Sequence, residues 1–280
     1  MKAKILVAAL ILGTIPAMVM ADEEADLIIN GEKLNVRAPA PDHVEMLDTI
    51  RSGWTFRSSE TQSLEMDDFD NPGMIFVDDG LESWQTAEGD AGKSCASCHG
   101  AIDEGMKGVR ASMPKMNPDG TDLWTLEETI NNCRTERMEA EPWGWESRQM
   151  LAMTAAVGLQ SRGMSVDVEI DGPARDWWEK GKELYYTRVG QLDMACSNCH
   201  EDNYGNMIRA DHLSQGQING FPVYRLKWAG LGSIHRRFKG CMKNIRAEPY
   251  SRGSDEFKAL ELYVASRGAG LDVETPSVRN

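Results

Sequence analysis

The chain has 280 residues, enough for one or two domains with a sizeable core. Asp and Glu number 44 against 30 Lys and Arg, a formal net charge of -14, which argues against a general nucleic-acid role. Past the first 21 residues no stretch is long and apolar enough to span a membrane.

The N-terminus reads MKAKILVAALILGTIPAMVMADEE. Lys2 and Lys4 precede an apolar run from Ile5 to Met20, and Ala21 precedes the acidic Asp22. This pattern predicts a secretory signal over 1–21, cleaved after Ala21, and a mature chain in the periplasm with no membrane anchor. Residues 22–70 match nothing else in the chain. They are expected to form an N-terminal extension packed against the first domain.

Helical signals begin beyond residue 70. MIFVDDGLESWQTAEG (74–89) places its aromatic residues at helical spacing, just ahead of CASCH (95–99). DLWTLEETINNC (122–133) reads as an amphipathic helix capped by Thr121-Asp122. SRQMLAMTAAVGLQSRG (147–163) reads as a closing helix stopped by glycine. Gly172-Pro173 marks a linker. The order then recurs: PARDWWEKGKELYYTRVG (173–190), CSNCH (196–200), a loop, a cysteine at 241, and SDEFKALELYVASRG (254–268).

The two Cys-x-x-Cys-His segments lie 101 residues apart, and the same offset aligns Phe76 with Trp177, Gly80 with Gly181 and Trp84 with Tyr185. CRTERMEAEPW at Cys133 parallels CMKNIRAEPY at Cys241, and Ser-Arg-Gly and Asp-Val-Glu follow in both copies. The expected fold is mainly α: two cytochrome c-like domains, 71–170 and 171–280, related by an internal repeat, plus the extension.

Cys-x-x-Cys-His is the attachment signal for c-type haem. Two thiols add across the porphyrin vinyl groups, and the adjoining histidine reaches the iron. Cys95, Cys98, Cys196 and Cys199 are therefore expected to hold two covalent haems, with His99 and His200 as proximal ligands. Two zinc half-sites would need further Cys and His at suitable spacing. His43 and His212 read as structural or surface residues. Trp177-Trp178 and Tyr185-Tyr186 read as helix–haem packing.

Cys133 and Cys241 remain, and two readings compete. An oxidising compartment favours a disulfide between them. Equivalent places in two repeats favour each facing its own haem as distal ligand. Thiolate ligation stabilises ferric iron, a poor choice for a simple electron shuttle. Around Cys241 stand Arg236, Arg237, Lys239, Lys243 and His235, and no Asp or Glu occurs between His212 and Ala247. Such cations would lower the thiol pKa and attract a small oxyanion.

The two haem motifs, the two spare cysteines, GSIHRRFKGCMKNIRAEP (232–249) and SGWTFRSSETQSLEMDDFDNPGM (52–74) together resemble the SoxA family. These are dihaem c-type cytochrome subunits of the sulfur-oxidation (Sox) system. The resemblance covers nearly all of the mature chain and implies a heterodimer with the monohaem cytochrome SoxX. It implies an L-cysteine S-thiosulfotransferase that couples thiosulfate to a cysteine of the SoxYZ carrier. Two electrons would leave through the haems to a soluble cytochrome c. By the same resemblance Cys241 is the distal ligand of the second haem and the catalytic sulfur, held as a persulfide. Arg237 binds substrate, and Cys133 is the distal ligand of the first haem. Some members lack the first haem motif, and this chain keeps both. The competing functions are a dihaem electron carrier with a Cys133–Cys241 disulfide and a dihaem peroxidase.

Overall fold

A computed structural model describes residues 24–280, so the expected signal segment lies outside the described residues. The chain opens with two short antiparallel hairpins, β1 (Leu27–Ile29) with β2 (Glu32–Leu34) and β3 (Arg37–Pro39) with β4 (Thr49–Arg51). Helices α1 (Ser59–Met66), α2 (Met74–Gln85), α3 (Cys95–His99) and α4 (Ile102–Gly105) follow. A two-stranded ladder, β5 (Lys115–Met116) with β6 (Leu123–Trp124), leads into α5 (Leu126–Arg137) and α6 (Arg148–Leu159).

The remainder holds α7 (Arg175–Tyr186), α8 (Cys196–His200), the hairpin β7 (Met207–Ile208) and β8 (Asp211–His212), then β9 (Val223–Arg225) and β10 (Gly230–Gly232). Helices α9 (Ile234–Asn244) and α10 (Asp255–Ser266) precede a last strand, β11 (Ser277–Arg279), which runs parallel to β9. The helices dominate, as expected, but the extension and the loops before α5 and α9 are built from short strands.

Two helix pairs form the framework. Helix α2 crosses α6, and α7 crosses α10. Each crossing is tight because a glycine meets backbone. A Cβ on Gly80 would stand 2.3 Å from the Ala152 carbonyl oxygen, and one on Gly181 2.0 Å from that of Ala259. No side chain fits at either point, so the helices approach more closely than side-chain packing normally permits. The faces so joined bury Val77, Leu151 and Ala155 in one pair and Trp178, Tyr185, Leu262 and Tyr263 in the other.

Capping sets the helix starts. Thr125 Oγ1 accepts from the Glu128 amide while the Glu128 carboxylate accepts from the Thr125 amide, a reciprocal box. Helix α5 thus starts at 126, not at the Thr121-Asp122 cap expected from sequence, and residues 123–124 pair with β5 instead. Ser147, Ser233 and Ser254 cap α6, α9 and α10 in the same N-terminal manner. The final helices end before their glycines: Gln160 and Arg267 occupy the C-caps, still in right-handed geometry.

The extension meets the first unit, where Asp68 pairs with Arg162 at 2.8 Å, but also reaches well beyond it. Its hydrogen bonds run chiefly to residues beyond 210. The Asn35 amide donates to Asp272 at 2.8 Å and the Arg51 amide to Gln215 at 2.6 Å. The Glu65 carboxylate accepts from the Val278 amide at 2.8 Å. Val44, Leu47 and Ile50 bury against Leu271. His43 is structural: its Nε2 lies 3.2 Å from Ser266 Oγ, and its ring meets Trp178 edge-on.

Candidate functional site

Helix α8 is a single turn whose start is tied by Asn198 Oδ1 accepting from the Ala195 amide at 2.9 Å. At its end His200 Nδ1 lies 2.7 Å from the Ser214 carbonyl oxygen. A carbonyl only accepts, so Nδ1 carries the proton and Nε2 keeps its lone pair free for a metal. The loop that supplies this carbonyl lies against the ring. Gly216 has φ +81°, and a Cβ there would fall 2.9 Å from His200 Cγ.

Opposite His200 stands Cys241, partly buried on α9. The two share a solvent-open cleft of about 820 Å³. Cys241 is close enough to His200 for the ring to stabilise its thiolate, and close enough to Cys196 and Cys199 for their charges to interact. Burial alone would raise the Cys241 thiol. Arg237, His200 and Arg225 outweigh it and bring the pKa down to about 6.

The cationic wall of this cleft differs from the sequence expectation. Of the cations flanking Cys241 in the chain, only Arg237 lines it. Arg237 precedes Cys241 by four residues, so both lie on one helix face. Arg236 instead stacks on Trp228, its Cζ 4.2 Å from the ring centroid, and faces Glu146. His235 is fully buried, stacked on Trp145 at 4.5 Å between centroids, and supplies no charge to the cleft. Lys239 and Lys243 are absent from the cleft wall.

Three arginines that sequence reasoning did not single out stand there instead: Arg57 from the extension, Arg225 from β9 and Arg279 from β11. Asp211 bridges the first two, pairing with Arg57 on one oxygen and with Arg225 at 2.9 Å on the other. These two guanidiniums hold the Asp211 carboxyl below its usual range despite burial, which alone would raise it. Arg279 is held by Glu65 at 2.5 Å and Glu274 at 2.6 Å. One signal pointed toward Arg57, which lies within the distinctive 52–74 stretch. His212 also lines the cleft, and its backbone carbonyl accepts from Arg57.

At the other motif Ser94 and Ser97 cap α3 reciprocally. His99 is exposed and leans on Trp84, ring centroids 5.8 Å apart. Cys95 packs with Trp84, Met113, Met153 and Val157. Cys133, on α5, lies near enough to Cys95 and Cys98 for their charges to interact. Its thiol is pushed up by burial, with only Arg137 opposing. The two spare cysteines therefore face different haem motifs in different electrostatic settings. This placement, each cysteine beside its own haem motif, favours the distal-ligand reading over a Cys133–Cys241 disulfide.

The cleft at the second motif suits a haem. Its histidine tautomer is set for iron, sulfur stands opposite, Ile218, Val223, Ile234 and Phe238 offer apolar walls, and four arginines make the lining cationic. Among the described residues no helix is long and apolar enough to cross a membrane. Fold and site define a c-type cytochrome with covalently bound haem.

Residues 79–166 match the family model described as SoxA/TsdA, cytochrome c domain. The L-cysteine S-thiosulfotransferase subunit SoxA of Rhodovulum sulfidophilum is 54% identical over 284 residues, covering 100% of this chain and 99% of the relative. The subunit of the same name from Paracoccus pantotrophus is 58% identical over 243 residues, covering 87% and 83%. A crystal structure of SoxXA from P. pantotrophus superposes with a TM-score of 0.89 at 54% identity, covering 92% of this chain and 99% of that one. The chain belongs to the SoxA family.

Proposed function

We infer that this chain is the catalytic subunit of a periplasmic L-cysteine S-thiosulfotransferase. It would work as a heterodimer with a SoxX monohaem cytochrome on the SoxYZ carrier and deliver electrons to a soluble cytochrome c. Its two cytochrome units, 71–170 and 171–280, are read as copies of one repeat. The similar order of helices around Cys133 and Cys241 supports this reading. The observation that carries the function is the cleft in which Cys241 faces His200 beside Arg237.

Cys95 and Cys98 would hold one haem and Cys196 and Cys199 the other, with His99 and His200 proximal and Cys133 and Cys241 distal. Bound there, the haems accept electrons one at a time. The protein residues do the rest. Arg237 binds the thiosulfate dianion with paired N–H donors, charge-assisted in a partly desolvated cleft. Arg225 and Arg57, fixed by Asp211, add field without moving toward the substrate. Cys241, kept anionic by these cations, carries the reacting sulfur as a persulfide. In net terms a carrier thiol and thiosulfate form one S–S bond, and two electrons and one proton leave.

Peptide mapping of the mature protein, purified without reductant, tests this directly. One extra sulfur on the Cys241 peptide supports the reading. A peptide cross-linked between Cys133 and Cys241 would remove both distal ligands and return the chain to electron carriage alone.

A further inference from the structure

Between the two cytochrome units lies a second group of titratable side chains for which the chemistry above has no use. Glu127 from α5, Glu261 from α10, His235 from α9 and Arg110 from the turn at 110–112 are all more than nine-tenths buried. Glu127, Glu261 and Arg110 line one small cavity. Arg110 spends its donors on backbone: Nε on the Phe221 carbonyl, Nη1 on Met113 and Nη2 on Ile218, at 3.1 to 3.3 Å. It offers charge to the carboxylates but none of these hydrogen bonds. His235 Nδ1 accepts from the Gly253 amide at 3.1 Å, so its proton is on Nε2. That nitrogen lies 3.1 Å from Glu261 Oε2, yet neither atom makes an aligned hydrogen bond.

Charge counting shows what this group must do. Two buried carboxylates face one guanidinium, leaving an uncompensated negative charge if both ionise. Keeping one proton removes that charge. Burial and the nearby Glu261 push the Glu127 carboxyl up to about 7, with the Arg110 charge opposing. Other charged groups face the site from its surroundings. Lys258 on α10 pairs with Asp122 at 2.7 Å and Glu128 at 3.6 Å, and Glu146 beyond Ser233 faces Arg236 and Arg252. Asp255 also stands 3.5 Å from Lys258, so this one cation is shared among three carboxylates and has no charge to spare for Glu127 and Glu261.

The placement relative to the haem sites gives the group a purpose. Glu127 precedes Cys133 by six residues on α5, and His235 precedes Cys241 by six on α9. At 1.5 Å per residue each lies about 9 Å along its helix from the sulfur that faces a haem motif. Across a low-dielectric interior a charge added at that range is poorly screened. We propose that Glu127, held beside the Glu261 carboxylate in this cavity, takes a proton from solvent when the haems are reduced and returns it when they are reoxidised. The electrons come from the thiosulfate coupling and leave to the acceptor cytochrome, so uptake and release balance over a turnover. The spacing rests on the distal-ligand reading above, which the optical spectra of the two haems test separately.

The experiment is a spectroelectrochemical titration of the intact dihaem protein with its partner, between about pH 5 and about pH 9. In the unaltered protein the midpoint of at least one haem should fall as pH rises through neutrality. In Glu127→Gln that dependence should shrink, with haem absorption unchanged. Glu261→Gln should do the same. An identical slope in both variants would place the proton elsewhere, for instance on haem carboxylates, and overturn the proposal. So would a flat profile in the unaltered protein. Should the variants fail to fold, infrared redox-difference spectra of the unaltered protein decide. A carboxylic-acid carbonyl band that changes with reduction and moves when the glutamates carry carbon-13 supports the site; a band that does not move assigns the proton to the haem carboxylates and sinks it, as does the absence of a band.

Discussion

Arg237 and Cys241 stand one turn apart on the same face of α9, and both line the cleft that holds His200. The helix therefore delivers a guanidinium and a sulfur to one place as a rigid unit. Arg237→Ala should remove charge-assisted hydrogen bonds to the substrate, worth about 1.5–3 kcal/mol, and lower kcat/KM by roughly tenfold to a hundredfold. Both haem spectra should stay intact. Full activity with intact spectra would sink the substrate role.

Cys133 and Cys241 should separate in function. Their thiols are driven in opposite directions, Cys133 upward by burial and Cys241 downward by Arg237, His200 and Arg225. Cys241→Ala should abolish thiosulfate coupling and change the paramagnetic resonance signal of the second haem. Cys133→Ala should alter only the first haem's signal and leave measurable coupling. Loss of coupling to the same degree in both would deny Cys241 its special place.

How much of this was legible in the sequence follows from distance along the chain. Cys95 to His99 and Cys196 to His200 are contiguous, so their chemistry could be read directly. Cys133 and Cys241 stood out because parallel stretches of sequence, CRTERMEAEPW and CMKNIRAEPY, set them side by side. Arg57 and Arg279 come from opposite ends of the chain and join Asp211 and Arg225 only through the packing of the extension on the last strand. No local period announces such a meeting. The run around Cys241 also misled. Successive helix residues point about 100° apart, so one basic stretch sent His235 to the core and Arg236 to Trp228 and left Arg237 alone in the cleft.

Arg267 should prove a keystone of the second unit. It is 1% exposed, donates to Glu201 at 2.5 Å and lies 4.4 Å from the Tyr185 ring centroid. Removing it leaves Glu201 buried without its cation. Arg267→Ala should cost about 3–5 kcal/mol, read as a lower urea midpoint for the holo protein. A change below about 1 kcal/mol would mean that Tyr186, which also donates to Glu201, suffices.

Stability should depend on pH through Glu65. It is fully buried, and burial raises its carboxyl to about 8 although Arg279 opposes the shift. Unfolded, the same carboxyl titrates near 4.5. Between these values the folded chain holds more protons than the unfolded one, so stability falls as pH rises. The contribution is complete below about pH 4.5 and is lost progressively toward pH 8, on the order of a few kcal/mol. Glu65→Gln should flatten this part of the stability profile measured by urea titration. An unchanged slope would assign it to another buried carboxyl.

Gly216 offers the sharpest test of how the second haem is held. Its φ of +81° favours glycine, and a Cβ would enter the space of the His200 ring at 2.9 Å from Cγ and 3.0 Å from Nδ1. Gly216→Ala meets two costs. The left-handed backbone costs about 1–2 kcal/mol for a residue with Cβ. The clash also pushes the ring from the Ser214 carbonyl that fixes its tautomer. The second haem should then show a changed axial-ligand signal and weaker coupling activity, while the first keeps its spectrum because His99 belongs to the other motif, against Trp84. Unchanged spectra would show that the loop yields rather than the histidine, and that the Ser214 bond does not set the ligand.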